Sequence, residues 1–287
     1  MTLVERTQSN NFLSSEIISR LLNVIIASSK LKSLKLPHMF IRPYFHTIIS
    51  GLIGTSKSTL LEEICSILKI QPIIGLTKAT IIGSIDKETK TFITPAVWDY
   101  RNTILPIDEF FINTTATSEV NNLNLLLQLM EKPSYHKKMG YFGVPFIEKD
   151  KNDKELYCKV ENNTIKVKTR FSLMMTTMMR LSNTPNTSLI ALVSRCINIP
   201  FNPSMDELEK MAKGIKYYKY KNIKTKSINN KISPSDYEYI LEYVKKNNIQ
   251  RSSYLRSVGD LCRAFSILKE HDKEIYNTIL YLKKSYW

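Results

Sequence analysis

A glycine-bearing loop lies between an apolar run and a helical pattern, and it limits how this chain can fold. The run covers 44–50 (YFHTIIS), the loop begins at Gly51, and helical spacing returns over 59–69 (TLLEEICSILK). A strand that passes through a glycine loop into a helix is the opening half of a strand–helix–strand unit. A β-strand and a following helix are therefore predicted on either side of Gly51.

Further short apolar runs indicate more strands. Each is bounded by helical or polar stretches, and they cover 103–107 (TILPI), 171–177 (FSLMMTT) and 196–200 (CINIP). Strands that alternate with helices favour a mostly parallel sheet with helices on both faces, so the expected fold class is α/β. One more helix is predicted over 14–29, where Ser14 or Ser15 can cap the first turn.

The composition of the chain changes after Pro203. A short helical pattern is followed by a stretch rich in Lys, Tyr and Asn over 214–231, and helical spacing continues from Ser233. We therefore predict two parts: an α/β domain over 1–204, and a linker with a small helical domain over 205–287.

The glycine loop has the pattern of a phosphate-binding loop, G-x-x-x-x-G-K-[ST], with Ser56 in place of the second glycine. Backbone N–H groups of such a loop cradle phosphate oxygens. Lys57 would reach the β- and γ-phosphates, and Ser58 Oγ would ligate Mg²⁺. The alternative is a chance loop before a helix. The predicted nucleotide contacts are Gly51, Gly54, Thr55, Ser56, Lys57, Ser58 and Thr59.

Two carboxylates, Asp108 and Glu109, directly follow the strand predicted over 103–107. Asp108 would hold the metal ion through water, because magnesium keeps part of its hydration shell. Glu109 would polarise the attacking water. An acidic helix cap after a strand is the alternative, but two adjacent acids that accompany a phosphate loop are more specific than either motif alone.

The net charge indicates the kind of partner, and the positions of the cysteines indicate whether a metal site or disulfides are expected. The chain has 41 Lys and Arg against 26 Asp and Glu, a formal net charge of +15, which favours a polyanionic partner. Its four cysteines form no C-x-x-C pair and do not cluster with the histidines, so neither a structural metal site nor a disulfide framework is expected. No signal-peptide pattern or membrane-length apolar run is present, and a soluble cytoplasmic protein is predicted.

With both motifs in view, the chain resembles the AAA+ motor of the MCM replicative helicases, from about the phosphate loop to near the C-terminus. In that family a small residue other than glycine commonly precedes the lysine. The segments that carry the resemblance follow the family's order: 51–61, 75–97 with a hairpin insert, 108–110, 126–140 leading into a second hairpin, 193–195 and 256–263.

The resemblance implies an AAA+ αβα sandwich with a helical lid, ATP hydrolysis with Mg²⁺, and a hexameric ring that acts on single-stranded or forked DNA in replication. It also implies that Arg195 and Arg256 complete the catalytic site of a neighbouring subunit, where an arginine neutralises charge on the transferring phosphoryl group. A surface arginine or a salt bridge is the alternative for each.

The resemblance places DNA binding on the second hairpin. Lys137 and Lys138 stand where it begins, and strand alternation puts Lys166, Lys168 and Arg170 on one face of the returning strand. Such a hairpin could hold phosphates without reading sequence. An edge strand protected by lysines is the alternative. A second basic stretch, 214–226, is interpreted as a linker rather than a base-stacking surface.

Three departures from the family are notable. Met178 stands at the first-sensor position, where a polar Asn is usual, and Thr176 and Thr177 are the nearest polar candidates. The family's N-terminal DNA-binding region and C-terminal winged helix are not seen. We therefore expect a bare motor of the kind that a plasmid or virus encodes, or one that uses an initiator or other partner protein to bind DNA. The polar insert 148–163 has no assigned role.

Two other function classes remain open from the sequence. An AAA+ initiator or helicase loader would use ATP to assemble on DNA without unwinding it, and the short chain and Met178 favour it. A remodeller like the MoxR ATPases or magnesium chelatases would act on protein, and the basic charge disfavours it.

Overall fold

The fold is described by a computed structural model. It describes residues 13–75, 77–85, 92–93, 96–111, 116–131, 134–138, 158–161, 164–168, 170–178, 186–223, 230–247, 249 and 253–284. None of the helices in these segments is long and apolar enough to cross a bilayer.

Strands and helices alternate through the first two thirds of the chain. The strands are β1 (Leu34–Lys35), β2 (Phe40–Ile41), β3 (Thr47–Ser50), β4 (Ile73–Ile74), β5 (Ser84–Ile85), β6 (Phe92–Ile93), β7 (Ile104–Asp108), β8 (Ser134–Lys138), β9 (Cys158–Glu161), β10 (Thr164–Lys168), β11 (Ser172–Thr177), β12 (Ile197–Pro200) and β13 (Asn230–Lys231). The helices are α1 (Ser15–Ser28), α2 (Lys57–Leu68), α3 (Lys78–Ile82), α4 (Ala96–Asp99), α5 (Thr117–Glu131), α6 (Thr187–Arg195), α7 (Met205–Ala212), α8 (Pro234–Lys246), α9 (Tyr254–Leu268) and α10 (Lys273–Lys284).

The central sheet has five strands in the order β12-β3-β11-β7-β4, and every neighbouring pair is parallel. The predicted α/β class with a parallel sheet is therefore confirmed. The strand that precedes the glycine loop, β3, lies between β12 and β11. Because β11 separates β3 from β7, the loop and the two carboxylates are brought to one edge of the sheet on either side of β11.

Helices cover both faces of this sheet, which explains why nearly all residues of β3, β7, β11 and β12 are buried. Successive residues of β3 point to opposite faces: Ile49 belongs to one hydrophobic cluster and Ile48 to the other. The first cluster contains residues of α1, α2, α8, α9 and α10. The second contains residues of α3, α4, α5 and α6.

Polar side chains fix where several helices begin. Ser14 Oγ accepts a hydrogen bond from Ile17 N and caps α1, as the sequence predicts. Asn186 caps α6, Ser233 caps α8, and Ser204 forms a capping box with Glu207 at the start of α7. Such caps satisfy backbone N–H groups that have no partner within the helix.

The C-terminal helices pack directly on the α/β part. Residues of α8, α9 and α10 share one continuous cluster with α1 and with Ile49, Met174 and Ile199 of the sheet. The hydrophobic core is therefore continuous across residues 204 and 205. The domain boundary at this point stays a prediction from the sequence.

The Lys- and Tyr-rich stretch after α7 is bound to α1 and α2. Asn23 of α1 donates to Lys219 O and accepts from the Tyr218 hydroxyl, and Glu63 of α2 accepts from the N–H groups of Tyr217 and Tyr218. Tyr217 and Tyr218 are buried, so their rings are not exposed for base stacking. Tyr220, the third tyrosine of this stretch, has 37% of its surface exposed, and the linker interpretation stays a prediction.

Candidate nucleotide site

The carboxyl ends of β3, β11 and β7 lie side by side and bring the predicted phosphate loop to the predicted acids. The register pairs Thr177 of β11 with Ser50, the last residue of β3, and pairs Met175 with Ile107 of β7. Ligands of open parallel sheets bind in the crevice outside the carboxyl ends of the strands.

Asp108 is the centre of a hydrogen-bond network at this edge. Its Oδ1 accepts from Ser58 Oγ at 2.9 Å and from Thr176 Oγ1 at 2.5 Å. Thr176 Oγ1 in turn accepts from the backbone N–H of Glu109 at 2.9 Å. The loop, the acidic strand and the strand between them are thus joined through three side chains that the sequence had singled out.

Backbone geometry accounts for two residues of the loop. A Cβ at Gly51 would lie 2.3 Å from the carbonyl oxygen of Phe201, which follows β12, so this position requires glycine. Ser56, which replaces the second glycine of the motif, adopts a left-handed conformation with φ 59° and ψ 32°. It makes no side-chain cap on α2, so here a serine adopts a conformation that glycine reaches without steric cost.

Lys57 begins α2 and lies buried against the loop. Its Nζ donates to Leu52 O at 2.6 Å and to Thr55 Oγ1 at 3.4 Å. Burial lowers the pKa of the Lys57 ammonium below its ordinary value, against the opposing effect of the carboxylates of Asp108 and Glu109. The ammonium is thus held close to the position where phosphate oxygens would be cradled.

A pocket of about 270 Å³ opens between these groups. Glu109 is exposed at its mouth and has a positive φ of 52°. Met178 contributes to the wall with 53% of its surface exposed. Thr59 is exposed on α2 and Thr55 is buried behind the loop. The lining residues are Ile53, Gly54, Ser56, Lys57, Ser58, Glu109, Thr176, Thr177 and Met178.

The donor set suits Mg²⁺ better than a transition metal. Within the described segments no group of three or more His, Cys, Asp or Glu side chains could hold a metal ion by itself. Ser58 and Asp108 offer a hydroxyl and a carboxylate oxygen within 2.9 Å of each other. Mg²⁺ is typically held by one or two such oxygens together with waters and substrate phosphates.

A second pocket, of about 420 Å³, lies next to the phosphate loop at the same edge of the sheet. It is lined by residues at the start of α1, by Pro200 at the end of β12 and by the segment that follows β12. Polar groups of Asn202, Ser204 and Tyr217 contribute to its lining. Nothing in the sequence patterns pointed to this space.

The two predicted catalytic arginines lie at the opposite side of the sheet, where the strands have their amino ends. Arg195 ends α6, and one residue later β12 begins at Ile197, which pairs with Thr47 at the start of β3, whereas the loop follows Ser50 at the end of β3. Three residues of strand separate the two edges, which is about 10 Å. Arg256 Nη1 donates to Ser194 Oγ at 2.5 Å, so it lies beside Arg195. Neither arginine reaches the pocket of its own chain.

Other charged groups surround these arginines, and sequence reasoning missed them. Asp260 pairs with Arg263 and with the buried Lys283, each at 2.6 Å, while Arg263 Nε donates to Arg42 O. Burial lowers the pKa of Arg42 to about 10 and also lowers the pKa of Arg256. The members stand far apart in sequence, and no local pattern connects them.

The predicted DNA-binding hairpin is a three-stranded antiparallel sheet in the order β8-β10-β9. The register places Lys138 opposite Thr164, Lys137 opposite Ile165, and Lys166 opposite both His136 and Lys159. Lys168 pairs with Ser134 at the base. Strand β9 lies inside the insert 148–163, and the rest of that insert is outside the described residues.

Arg170 does not belong to this hairpin in the structure. β10 ends at Lys168, and the backbone carbonyl of Arg170 accepts from Asn102 N at the start of β7. The expectation that Arg170 lies on the same strand as Lys166 and Lys168 is therefore wrong, because β10 ends at Lys168. The other predicted hairpin insert is observed as β5 and β6, which pair antiparallel, with 86–91 outside the described residues.

Comparison with known proteins identifies no family for this chain. No protein-family model matches the chain, and no curated protein matches it closely enough to count as a relative.

Proposed function

We propose that this chain binds ATP with Mg²⁺ and hydrolyses it as a DNA-dependent motor of the AAA+ class, resembling the MCM helicase core and acting as a ring. The observation that carries the proposal is the network at Asp108, where Ser58 and Thr176 donate to one carboxylate oxygen beside the buried Lys57. These groups are the ones that phosphoryl transfer needs: a loop lysine, a metal-ligating hydroxyl and an acid.

Each residue has a distinct role in the proposed reaction. Lys57 turns from Leu52 O to the β- and γ-phosphate oxygens. Ser58 and Asp108 hold Mg²⁺, which neutralises charge on the phosphates when it is bound. Glu109, exposed at the pocket mouth, orients the attacking water and accepts its proton. Thr176 keeps the Asp108 carboxylate directed at the loop.

The arginines act between subunits in this proposal. Because Arg195 and Arg256 lie at the sheet edge remote from the pocket, one chain does not complete its own site. A neighbouring subunit in a closed ring would supply them. The lysines at 137, 138, 166 and 168 are proposed to contact the DNA backbone on the β8–β10 hairpin, where charge and not base sequence determines affinity.

Nucleotide binding is the first test. Lys57→Ala should weaken binding of a fluorescent ATP analogue in Mg²⁺ by at least about tenfold, which corresponds to the loss of about 1.4 kcal/mol. Glu109→Gln should bind ATP normally and hydrolyse it on the order of 100-fold more slowly, because the general base is lost. Lys246→Ala removes an exposed lysine of α8 and is the matched control. Unchanged binding by Lys57→Ala would refute the phosphate-loop assignment.

DNA dependence is the second test. Single-stranded DNA should stimulate hydrolysis, and its affinity should fall steeply with salt as condensed counterions are released. Lys137→Ala combined with Lys138→Ala should reduce DNA affinity and leave ATP binding unchanged. ATP-dependent strand displacement from a forked duplex identifies a motor, whereas DNA binding and hydrolysis without displacement identify a loader. An ATP-bound protein that binds no DNA at low salt would exclude both.

A further inference from the structure

Helices α5 and α6 lie side by side, run in the same direction and are joined at two levels. Ser188 Oγ donates to Asn124 Oδ1 at 2.6 Å, and Arg195 Nε donates to Glu131 Oε1 at 2.6 Å. The two links are separated by seven residues on each helix, which is about 10 Å along the helix axis. The two parallel helices are therefore joined by a neutral hydrogen bond near the start of α6 and by an ion pair at its end.

The ionic link and one hydrogen bond within α6 engage all three nitrogens of the Arg195 guanidinium. Nε and Nη2 both contact Glu131 Oε1, and Nη1 donates to Ala191 O at 2.6 Å within α6. Only 19% of the Arg195 side chain is exposed. The Nε–Nη2 side is one of two sides from which a guanidinium makes a bidentate contact with a phosphate or carboxylate, and Nη1 on the other side is bonded to α6. A phosphate of a neighbouring subunit cannot use it until Glu131 has left.

Glu131 is also the residue through which the hairpin joins the rest of the protein. It is the last residue of α5, and β8 begins three residues later at Ser134. Arg42 Nη1 donates to the carbonyls of Leu129 and Met130 in the last turn of α5, at 3.0 and 2.8 Å. The end of α5 is therefore held from one side by Arg42, while Glu131 reaches Arg195 on the other.

We propose that Glu131 is a latch that keeps Arg195 inactive until the β8–β10 hairpin is engaged by DNA. The proposal rests on the function proposed above. A pull on the hairpin displaces the end of α5, separates Glu131 from Arg195 and frees the guanidinium for the neighbour's phosphate. Glu131 is a positioning residue in this scheme, since it acts only through Arg195.

Charge balance makes the exchange reversible. Arg42, Arg195 and Arg256 all lie near Glu131, whose carboxylate opposes the mutual repulsion of these cations. When Glu131 withdraws, a phosphate of the neighbouring subunit takes the place of the Glu131 carboxylate beside Arg195 and Arg256. Without a phosphate, Arg256 keeps the weaker opposing effect of Asp260 but loses that of Glu131, so the repulsion between the cations increases and the latch closes again. DNA contact and an occupied neighbouring site would therefore be required together.

Steady-state hydrolysis tests the latch. Glu131→Gln keeps the shape and an acceptor but removes the charge, so it should raise the DNA-free turnover rate about two- to fivefold, as expected for a half-exposed ion pair. The KM for ATP should not change, and stimulation by an oligodeoxythymidine should fall by the same factor. Ser188→Ala breaks the neutral link between the same helices and should leave the stimulation at the wild-type value, as should Glu242→Gln, which breaks a surface pair.

Hydrogen exchange provides a readout that does not depend on hydrolysis. In the full-length Glu109→Gln protein with Mg-ATP, the oligodeoxythymidine should speed amide exchange in the last turn of α6, and adding Glu131→Gln should give the same speed without DNA. DNA that binds but leaves this turn unchanged, or a Glu131→Gln turnover equal to that of Glu242→Gln, overturns the latch. Absence of any hydrolysis that Lys57→Ala can abolish is a failure of the proposed function instead.

Discussion

Replacement of His46 by Asn tests how the charge cluster at the amino edge of the sheet affects stability. His46 is buried at the start of the loop strand, and its Nδ1 accepts a hydrogen bond from Leu173 N of β11 at 3.1 Å. The ring is therefore neutral and links β3, which leads into the phosphate loop, to β11, which carries Thr176. Burial, followed by the positive charges of Arg263 and Arg42, lowers the pKa of His46 to about 3 from 6.5, with Asp260 opposing and Arg195 reinforcing the shift.

The lowered pKa fixes the sign of the pH dependence. An unfolded chain takes up a proton at this histidine near pH 6.5, and the folded chain does so only near pH 3. Stability from this site is therefore complete above pH 6.5 and declines as the pH falls towards 3. With 1.36 kcal/mol for each unit of pKa difference, the loss at pH 5 is about 2 kcal/mol.

Urea unfolding at pH 8 and pH 5 measures this loss. Asn places Oδ1 where His has Nδ1, so His46→Asn keeps the acceptor for Leu173 N and removes the titration. Wild-type protein should lose about 2 kcal/mol more than His46→Asn between the two pH values, because other titrating groups cancel in the difference. His38→Asn changes an exposed histidine and should behave as wild type. Equal losses in wild type and His46→Asn would show that His46 is protonated in the folded state.

Three further predictions concern the nucleotide site. Ser56→Gly should raise the free energy of unfolding by about 0.5 to 1 kcal/mol in a denaturant titration, because φ 59° is strained for serine; a loss of stability would contradict this. Thr176→Val should lower the turnover rate about tenfold, because Asp108 loses one of two hydroxyl donors; an unchanged rate would limit Thr176 to a structural role. Arg195→Ala should be inactive alone, but should regain activity when mixed with Glu109→Gln, and subunits that co-assemble without recovering activity would count against a role across the interface.

The elements nearest the phosphate loop were predictable because their signals are local. Predicted strands and helices differ from the observed ones by up to three residues at either end; for example, β3 begins at Thr47 and not at Tyr44. Ser58 and Asp108, which the sequence assigned to one metal site, are joined by a direct hydrogen bond, since parallel strands bring their carboxyl ends together. Their role as metal ligands stays a prediction. Thr176 could be offered only as one of two candidates, because the partner that selects it, Asp108, lies 68 residues away.

The arginine edge could not be predicted in the same way. Arg42, Asp260 and Lys283 come together only when the C-terminal helices pack against β12 and α1, and that packing depends on apolar contacts with no fixed spacing. The sequence also could not show that Glu131 faces Arg195. Their pairing follows from the parallel alignment of α5 and α6, which is a property of two crossover helices on one face of the sheet.

The two edges of the sheet are linked by strands that are buried throughout. β3 carries His46 just before its first residue and the phosphate loop just after its last, and all residues of β11 are buried between β3 and β7. Well-packed interiors transmit displacement with little compression. A change at the arginine edge, such as the release of Arg195, is therefore better carried by a shift of whole strands or helices than absorbed locally. In the proposed ring, the same rigid strands of each chain would connect the arginines that contact a neighbour's phosphates to the loop that binds the chain's own phosphates.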